Sequence, residues 1–157
     1  MDKKWIQALG KMTYGIYVLT TFNKDEINGM IASWAAQVSY DPPLIMAAVH
    51  PNRYSHRLIE HSASFALHIL AQNQGEFLGR FKGEQPRLKF DGIQWERGKT
   101  GCPLLKDCIA FAECTVKGVY KPGNHTLFVG EIVNADCYSD HQPLITADYD
   151  GQYLGRS

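Results

Sequence analysis

The sequence predicts a mainly β protein in which residues 1–157 form one antiparallel β-barrel domain with short helices between its strands. About seven segments are rich in β-branched and aromatic residues and are separated by turn residues, which is typical of strands. These segments do not alternate regularly with helical ones, so a parallel doubly wound sheet is disfavoured. A sheet of this size leaves exposed edges unless it curls or pairs with another subunit, and this favours closure into a barrel.

The first third of the chain predicts one helix and three strands. Residues 2–9 have helical spacing, and residues 14–22 and 27–38 are rich in strand formers and are joined by the turn sequence NKDE. Gly29, inside the second of these strands, indicates a bulge or a close approach of the backbone. The apolar run 44–49 follows the strand-breaking sequence SYDPP and suits a central strand.

The middle of the chain predicts two helices and two strands. Residues 53–62 carry apolar side chains on one helical face, and residues 64–70 alternate as a strand does. Residues 73–83 have helical spacing again, residues 84–89 are a polar loop, and residues 90–95 are a weaker strand.

The last third predicts a long hairpin. Residues 107–120 and 125–136 give two long strand patterns, joined by KPGN with proline and glycine in turn positions. After the break at HQP, residues 144–155 predict a last short strand or hairpin, with its turn at Asp150 and Gly151.

Charge and cysteine usage exclude several classes of function. Lysine plus arginine equals aspartate plus glutamate, 16 against 16, so no net field attracts nucleic acid or an anionic membrane, and neither partner is expected. The first ten residues hold no long apolar run and 18 apolar residues never follow one another, so a soluble, cytoplasmic protein is expected.

The four cysteines form no CxxC pair, and no metal is expected. Cys108 and Cys114 would lie roughly 20 Å apart on one strand, too far for a disulfide.

One polar cluster stands out once the common cofactor motifs are found to be absent. The chain has no GxGxxG after a strand, no P-loop, no GxSxG and no HExxH, so a Rossmann cofactor domain is not expected. The sequence NGMIASWAAQVSYDPP is followed by RYSH, and Ser33 and Trp34 are expected near the turn that starts the Arg53 helix. A helix N-terminus with Arg53, Ser55 and His56 offers the amides, hydroxyl and guanidinium that a phosphomonoester needs. The alternative is that Asn52 and Ser55 only cap the helix, that Arg53 is a surface residue and that Trp34 is core.

The combination resembles the flavin reductase family with the FMN-binding split-barrel fold, which includes flavoredoxins and the reductase components of two-component monooxygenases. The resemblance spans nearly the whole chain and depends on four segments: YGIYVLTT, NGMIASWAAQVSYDPPLIMAAV, NRYSHRLI and YKPGNHTLFVGEIV. It implies an antiparallel Greek-key split β-barrel. It also implies FMN contacts at Met30, Ala32, Ser33, Trp34 and His50, and a phosphate end at Arg53, Tyr54, Ser55 and His56.

The same resemblance implies an enzyme that moves electrons from NAD(P)H or a protein donor through bound FMN to free flavin, ferric iron or a redox protein. His125, which follows a glycine turn, would contact the nicotinamide or a second substrate; otherwise it is a turn or interface residue. A non-enzymatic, flavoredoxin-like electron carrier between protein partners is the alternative. A homodimer is expected from the family, and it would also cover exposed sheet edges.

Overall fold

The computed structural model describes residues 1–149, which form nine strands and three α-helices. The helices are α1 (Lys3–Leu9), α2 (Tyr54–Ser62) and α3 (Glu76–Phe81). The strands are β1 (Tyr17–Asn23), β2 (Glu26–Ala32), β3 (Ala35–Tyr40), β4 (Pro43–Val49), β5 (Ser64–Ile69), β6 (Trp95–Arg97), β7 (Pro103–Leu105), β8 (Ala110–Tyr120) and β9 (Thr126–Cys137). Short 3-10 helices span Arg87–Phe90 and Thr146–Asp148.

Seven strands form the main sheet, in the order β2-β1-β5-β8-β9-β4-β3, and β6 and β7 form a separate pair. Every paired strand in the described residues is antiparallel. The prediction of an antiparallel, mainly β protein is therefore confirmed.

The connection between β2 and β3 shows why this sheet closes. The two strands are the opposite edges of the sheet, yet only Ser33 and Trp34 separate them in sequence. Three Cα–Cα steps span about 11 Å at most, whereas the edge strands of a flat seven-stranded sheet would lie about 29 Å apart. The sheet must therefore curl until its edges meet, and β2 does contact β4 across the gap. We call the Ser33–Trp34 connection the barrel seam.

The seam also corrects the prediction of one strand over residues 27–38. That segment is two strands that belong to opposite edges of the sheet. Its period-2 pattern continues across the break because both halves are extended, so the sequence alone did not reveal a change of neighbour. Within β2, Gly29 is a site of close approach: a Cβ there would meet the Phe81 ring of α3 at 2.6 Å.

The long hairpin is confirmed as β8 and β9, with register shifts after Glu113 and after Val116. Three other predictions are wrong in extent. The helix over 73–83 is limited to α3, because Gly75 and Lys82 cap it. In the segment 90–95, Phe90 ends a 3-10 helix and only Trp95 is in a strand, and residues 144–149 hold the 3-10 helix Thr146–Asp148 and a single bridge between Gly15 and Ile145 rather than a strand. The predicted turn at Asp150 and Gly151 lies outside the described residues.

Two apolar clusters cover the two faces of the sheet. Neighbouring residues Val18 and Leu19 belong to different clusters because successive side chains of a strand point to opposite faces. The Val18 cluster packs under α3 through Phe77 and Phe81, and the Leu19 cluster packs under α2 through Ile59. Helix α2 is therefore held against β1 and β2, and its N-terminal Arg53 amide donates to the carbonyl of His50, whose ring lies 5.1 Å from that of His125 beside Trp34.

Candidate flavin-nucleotide site

The barrel seam presents backbone and one large aromatic ring. Ala32 and Ser33 are buried and Met30 is half-buried, whereas Trp34 is 40% exposed. The Trp34 carbonyl accepts a 2.8 Å hydrogen bond from the Ala48 amide of β4, which ties the seam to the far edge of the sheet. The indole is therefore held at the surface by a fixed backbone.

Two imidazoles lie beside this indole. The His125 ring centroid is 4.8 Å from the Trp34 ring and 5.1 Å from the His50 ring. His125 Nδ1 lies 2.9 Å from Asn124 Oδ1, which can only accept, so Nδ1 carries the proton and Nε2 keeps a free lone pair. Burial lowers the pKa of His125, and the charges of His50 and Arg53 lower it further. The ring is therefore neutral at pH 7, and the predicted residues Trp34, His50 and His125 form one surface.

The turn before α2 leaves the helix N-terminus open. The Asn52 amide donates to His50 Nδ1 at 3.2 Å, and the Arg53 amide donates to the His50 carbonyl at 2.9 Å. The prediction that Asn52 caps the helix is wrong: Arg53 is the N-cap residue and makes no side-chain capping bond. No side chain thus caps the positive end of the helix dipole, and the Arg53 guanidinium adds a positive charge at this end.

The other residues predicted at the phosphate end have partners inside the fold. Ser55 is fully buried and its Oγ accepts from Asn28 Nδ2 at 2.9 Å, which joins α2 to β2. His56 is buried, with Nε2 2.7 Å from Thr126 Oγ1, and its pKa is lowered mainly by burial. The Tyr54 ring lies under the Arg57 guanidinium at 5.0 Å. Direct contact of these three side chains with a phosphate stays a prediction.

Lys89 is a residue of this region that the sequence did not single out. It was expected in a polar loop, but it is only 7% exposed and lies in the 3-10 helix Arg87–Phe90. Its Nζ donates to Asn28 Oδ1 at 3.0 Å and to the Gly29 carbonyl at 2.8 Å. The only sign of its burial in the sequence is that it lies between the apolar residues Leu88 and Phe90. Many surface lysines also have apolar neighbours, so this sign is weak.

The charges in this region are positive and uncompensated. Burial, together with the nearby charge of Arg53, lowers the pKa of Lys89 to about 8. Among the ion pairs within residues 1–149, none includes Lys89 or Arg53. The seam end of α2 is therefore suited to an anion.

A family comparison identifies the chain. Residues 9–155 match the family model described as the flavin reductase like domain. The chain belongs to the flavin reductase-like domain family. The resemblance recognised in the sequence is therefore confirmed.

Three proteins similar to this flavin reductase-like domain, two curated relatives and one solved structure, are named as reductases or oxidoreductases. The ferric-chelate reductase (NAD(P)H) of Archaeoglobus fulgidus is 33% identical over 148 residues, which are 92% of this chain and 88% of that protein. The FMN reductase (NADH) SmoA of Agrobacterium fabrum is 31% identical over 155 residues, 99% of this chain and 86% of that protein. The structure of the NADH:FAD oxidoreductase SgcE6 of Streptomyces globisporus matches with a TM-score of 0.84 at 27% identity, over 92% of this chain and 90% of that one. The split-barrel fold is thus confirmed.

Other features of the flavin reductase-like domain lie away from the seam. A cavity of about 730 Å³ between α3 and the Arg87–Phe90 helix includes Lys89 in its wall, but none of the residues predicted from the sequence as site residues. Within residues 1–149, no three His, Cys, Asp or Glu side chains are grouped so that they could hold a metal ion. In the same range no helix combines the length and the apolar character that crossing a membrane demands. All four cysteines are free thiols.

Proposed function

We propose that this chain binds FMN and acts as an NAD(P)H-dependent flavin reductase-type oxidoreductase, passing electrons through bound flavin to free flavin, ferric iron or a redox protein. The observation that carries the proposal is the seam: an exposed indole and an irregular strand break lie beside an uncapped, positively charged helix N-terminus. Membership of the flavin reductase-like family and similarity to an FMN reductase and a ferric-chelate reductase support it.

The residues present fit a flavin mononucleotide at both ends. At one end, the open amides of α2 with Arg53 and Lys89 match a dianionic phosphate. At the other end, Met30, Ala32, Ser33, Trp34 and His50 offer backbone groups and apolar surface, which suit a flat heteroaromatic ring bearing acceptors at its edge. We propose these five residues as the flavin-ring contacts.

The protein's part in the chemistry is orientation and exclusion of water. Bound flavin supplies the centre that accepts a hydride and passes electrons on. Since hydride transfer needs no protein acid or nucleophile, the chain has to hold the two rings together and keep the surface between them dry. His125 is neutral and half-buried beside Trp34. It can therefore contact a nicotinamide or a second substrate without adding positive charge.

Flavin titration and steady-state kinetics test this proposal. The purified protein is expected to be yellow or to turn yellow with FMN, and to oxidise NADH or NADPH with free FMN or a ferric chelate as acceptor. Colourless protein that gives no heat on titration with FMN would contradict it. Reduction only through an added redox protein, without NAD(P)H turnover, would contradict the reductase and match a flavoredoxin-like carrier.

We further propose that residues 1–157 are one domain, and that it functions as a cytoplasmic homodimer. Free, mostly buried thiols suit a reducing compartment. The edge strand β3 exposes Val38 and Tyr40, the latter at 91%, and a second copy would cover them.

A further inference from the structure

Lys89 is a buried ammonium group without a counter-ion. Only two lysine, arginine, aspartate or glutamate residues within residues 1–149 are buried, Lys89 and Glu113. The Glu113 carboxylate receives hydrogen bonds from the Lys99 and Thr100 amides and from Asn134 Nδ2. Those donors overcome the effect of burial and lower its pKa. The Lys89 ammonium group instead donates to two uncharged oxygens, so no negative charge balances it. An unbalanced charge in a buried position is unfavourable in free energy.

The hydrogen bonds around Lys89 leave donors free on the α2 side. Its Nζ uses two of three N–H groups on Asn28 Oδ1 and the Gly29 carbonyl. The Asn28 Nδ2 group then donates to Ser55 Oγ, so the Ser55 hydroxyl proton is left for another acceptor. No acceptor for that proton is recorded among residues 1–149. Ser55 lies in the first turn of α2, next to the uncapped Arg53.

We propose that the phosphate of the bound flavin nucleotide is the missing counter-ion of Lys89, and that Lys89 shares it with Arg53. This inference rests on the proposed function and adds to it a specificity for phosphate. A dianionic phosphomonoester is required to pair with the charges of Lys89 and Arg53, whereas riboflavin, which has no phosphate, leaves both cations unpaired. Lys89 holds the Asn28 amide in the orientation that frees the Ser55 hydroxyl for donation.

The charges that act on Lys89 predict a proton uptake when the phosphate binds. Arg53 lies at the start of α2, and Arg80 of α3 donates from Nη1 to the Lys89 carbonyl at 3.3 Å. The two β2 oxygens that Lys89 bonds are neutral, and the Glu26 carboxylate of β2 is paired with Arg57. Charged groups of the flanking segment and of the cavity wall are Arg87, Asp91, Glu76, Glu84 and Asp107. With its pKa near 8, the free Lys89 amine is largely neutral at pH 8.5. A dianion beside it favours the ammonium form, so the amine takes one proton from the buffer.

Calorimetry on the wild-type chain measures this uptake directly. FMN and riboflavin are titrated at pH 8.5 in two buffers of different ionisation enthalpy. At this pH the phosphate of FMN is already a dianion and contributes no proton. FMN is expected to bind with uptake of about 0.7 proton, and riboflavin with none. FMN binding without proton uptake would overturn the inference, whereas the absence of binding by either flavin would contradict the proposed function itself.

A variant pair assigns the uptake to Lys89. K89M is expected to lower FMN affinity about 10- to 100-fold, as loss of a charged hydrogen bond does, to abolish the proton uptake, and to keep riboflavin affinity. R87M removes an exposed charge from the same 3-10 helix and is expected to change none of these. Equal loss of FMN and riboflavin binding in K89M would show a purely structural role and overturn the inference. If K89M does not fold, the wild-type calorimetry still decides.

Discussion

Arg53 and Arg57 lie about one turn apart on the same helix, yet their surroundings differ. The Arg57 guanidinium lies 5.0 Å from the Tyr54 ring centroid and 3.9 Å from the Glu26 carboxylate. Arg53 is exposed at the N-cap position, and no hydrogen bond or ion pair of its guanidinium is recorded within residues 1–149. The Arg57 guanidinium therefore has partners within the fold, whereas the Arg53 guanidinium is available to bind an anion.

This contrast gives a residue-scale prediction. R53A is expected to weaken FMN binding about 10- to 100-fold, the usual effect of losing a charge-assisted hydrogen bond, and to leave riboflavin binding unchanged. R57A is the matched control on the same helix and should alter neither affinity. Fluorescence titration with both ligands measures the difference, and an equal loss for FMN and riboflavin in R53A would contradict the assignment.

At the scale of elements, His68 joins three strands through one ring. The residue is fully buried on β5, its Nδ1 lies 3.1 Å from the Val18 carbonyl of β1, and its Nε2 accepts from the Leu105 amide of β7 at 3.1 Å. A carbonyl only accepts and an amide only donates, so the neutral Nδ1–H tautomer is required. Burial lowers the pKa of His68 to about 4. The ring thus holds the small β6–β7 pair against the main sheet only while it is uncharged.

This buried ring predicts an acid-sensitive stability. The unfolded chain protonates His68 near pH 6.5, whereas the folded chain does so only near pH 4. The free energy of unfolding should therefore fall as the pH drops below about 6.5 and level off below about 4. The part due to His68 amounts to about 2 kcal/mol between pH 8 and pH 5.

Urea unfolding at these two pH values tests the prediction. H68Q, which cannot titrate, should lose about 2 kcal/mol less than the wild type over this range. H141Q changes an exposed histidine and should retain the wild-type slope. An unchanged slope in H68Q would exclude His68 as the source.

At the scale of the whole molecule, the two sheet edges have different environments. The β2 edge is covered by α2, α3 and the Arg87–Phe90 helix, whereas β3 is paired only with β4. The β3 strand also exposes Val38 and Tyr40. An uncovered edge strand with apolar side chains is a site for association.

The association can be measured by sedimentation velocity. The wild type is expected to be a dimer, and V38K combined with Y40K should shift it towards monomer, because two charges would have to be buried at the interface. L88K adds a charge at an exposed apolar residue beside the opposite edge and should leave the dimer intact. A wild-type monomer that still binds FMN would contradict the homodimer.

Much of the candidate site was accessible from sequence because its residues lie in short, unusual segments. Ser33 and Trp34 lie in the segment NGMIASWAAQVSYDPP, Arg53 begins a helical pattern, and His125 follows a turn. The proximity of Ser33 and Trp34 to the Arg53 turn was expected from neighbouring strands, whereas the place of His125 was implied by the family resemblance. Lys89 was not found, and Asn28 was recognised only as the start of the NGMIASW segment, because their hydrogen bond spans 61 positions of sequence and no local pattern predicts it.

Local periodicity by itself determined most of the strands, the long hairpin and the antiparallel class, since side-chain alternation and turn residues act over a few positions, and four specific sequence segments indicated the family. Only the tertiary structure decided that residues 27–38 are two strands at opposite edges, that Asn52 does not cap α2, and that Lys89 lies buried beside Asn28. The physical reason is the closure of the barrel. Once the sheet edges meet at Ser33 and Trp34, neighbours, burial and charge at the seam are set by residues distant in the chain.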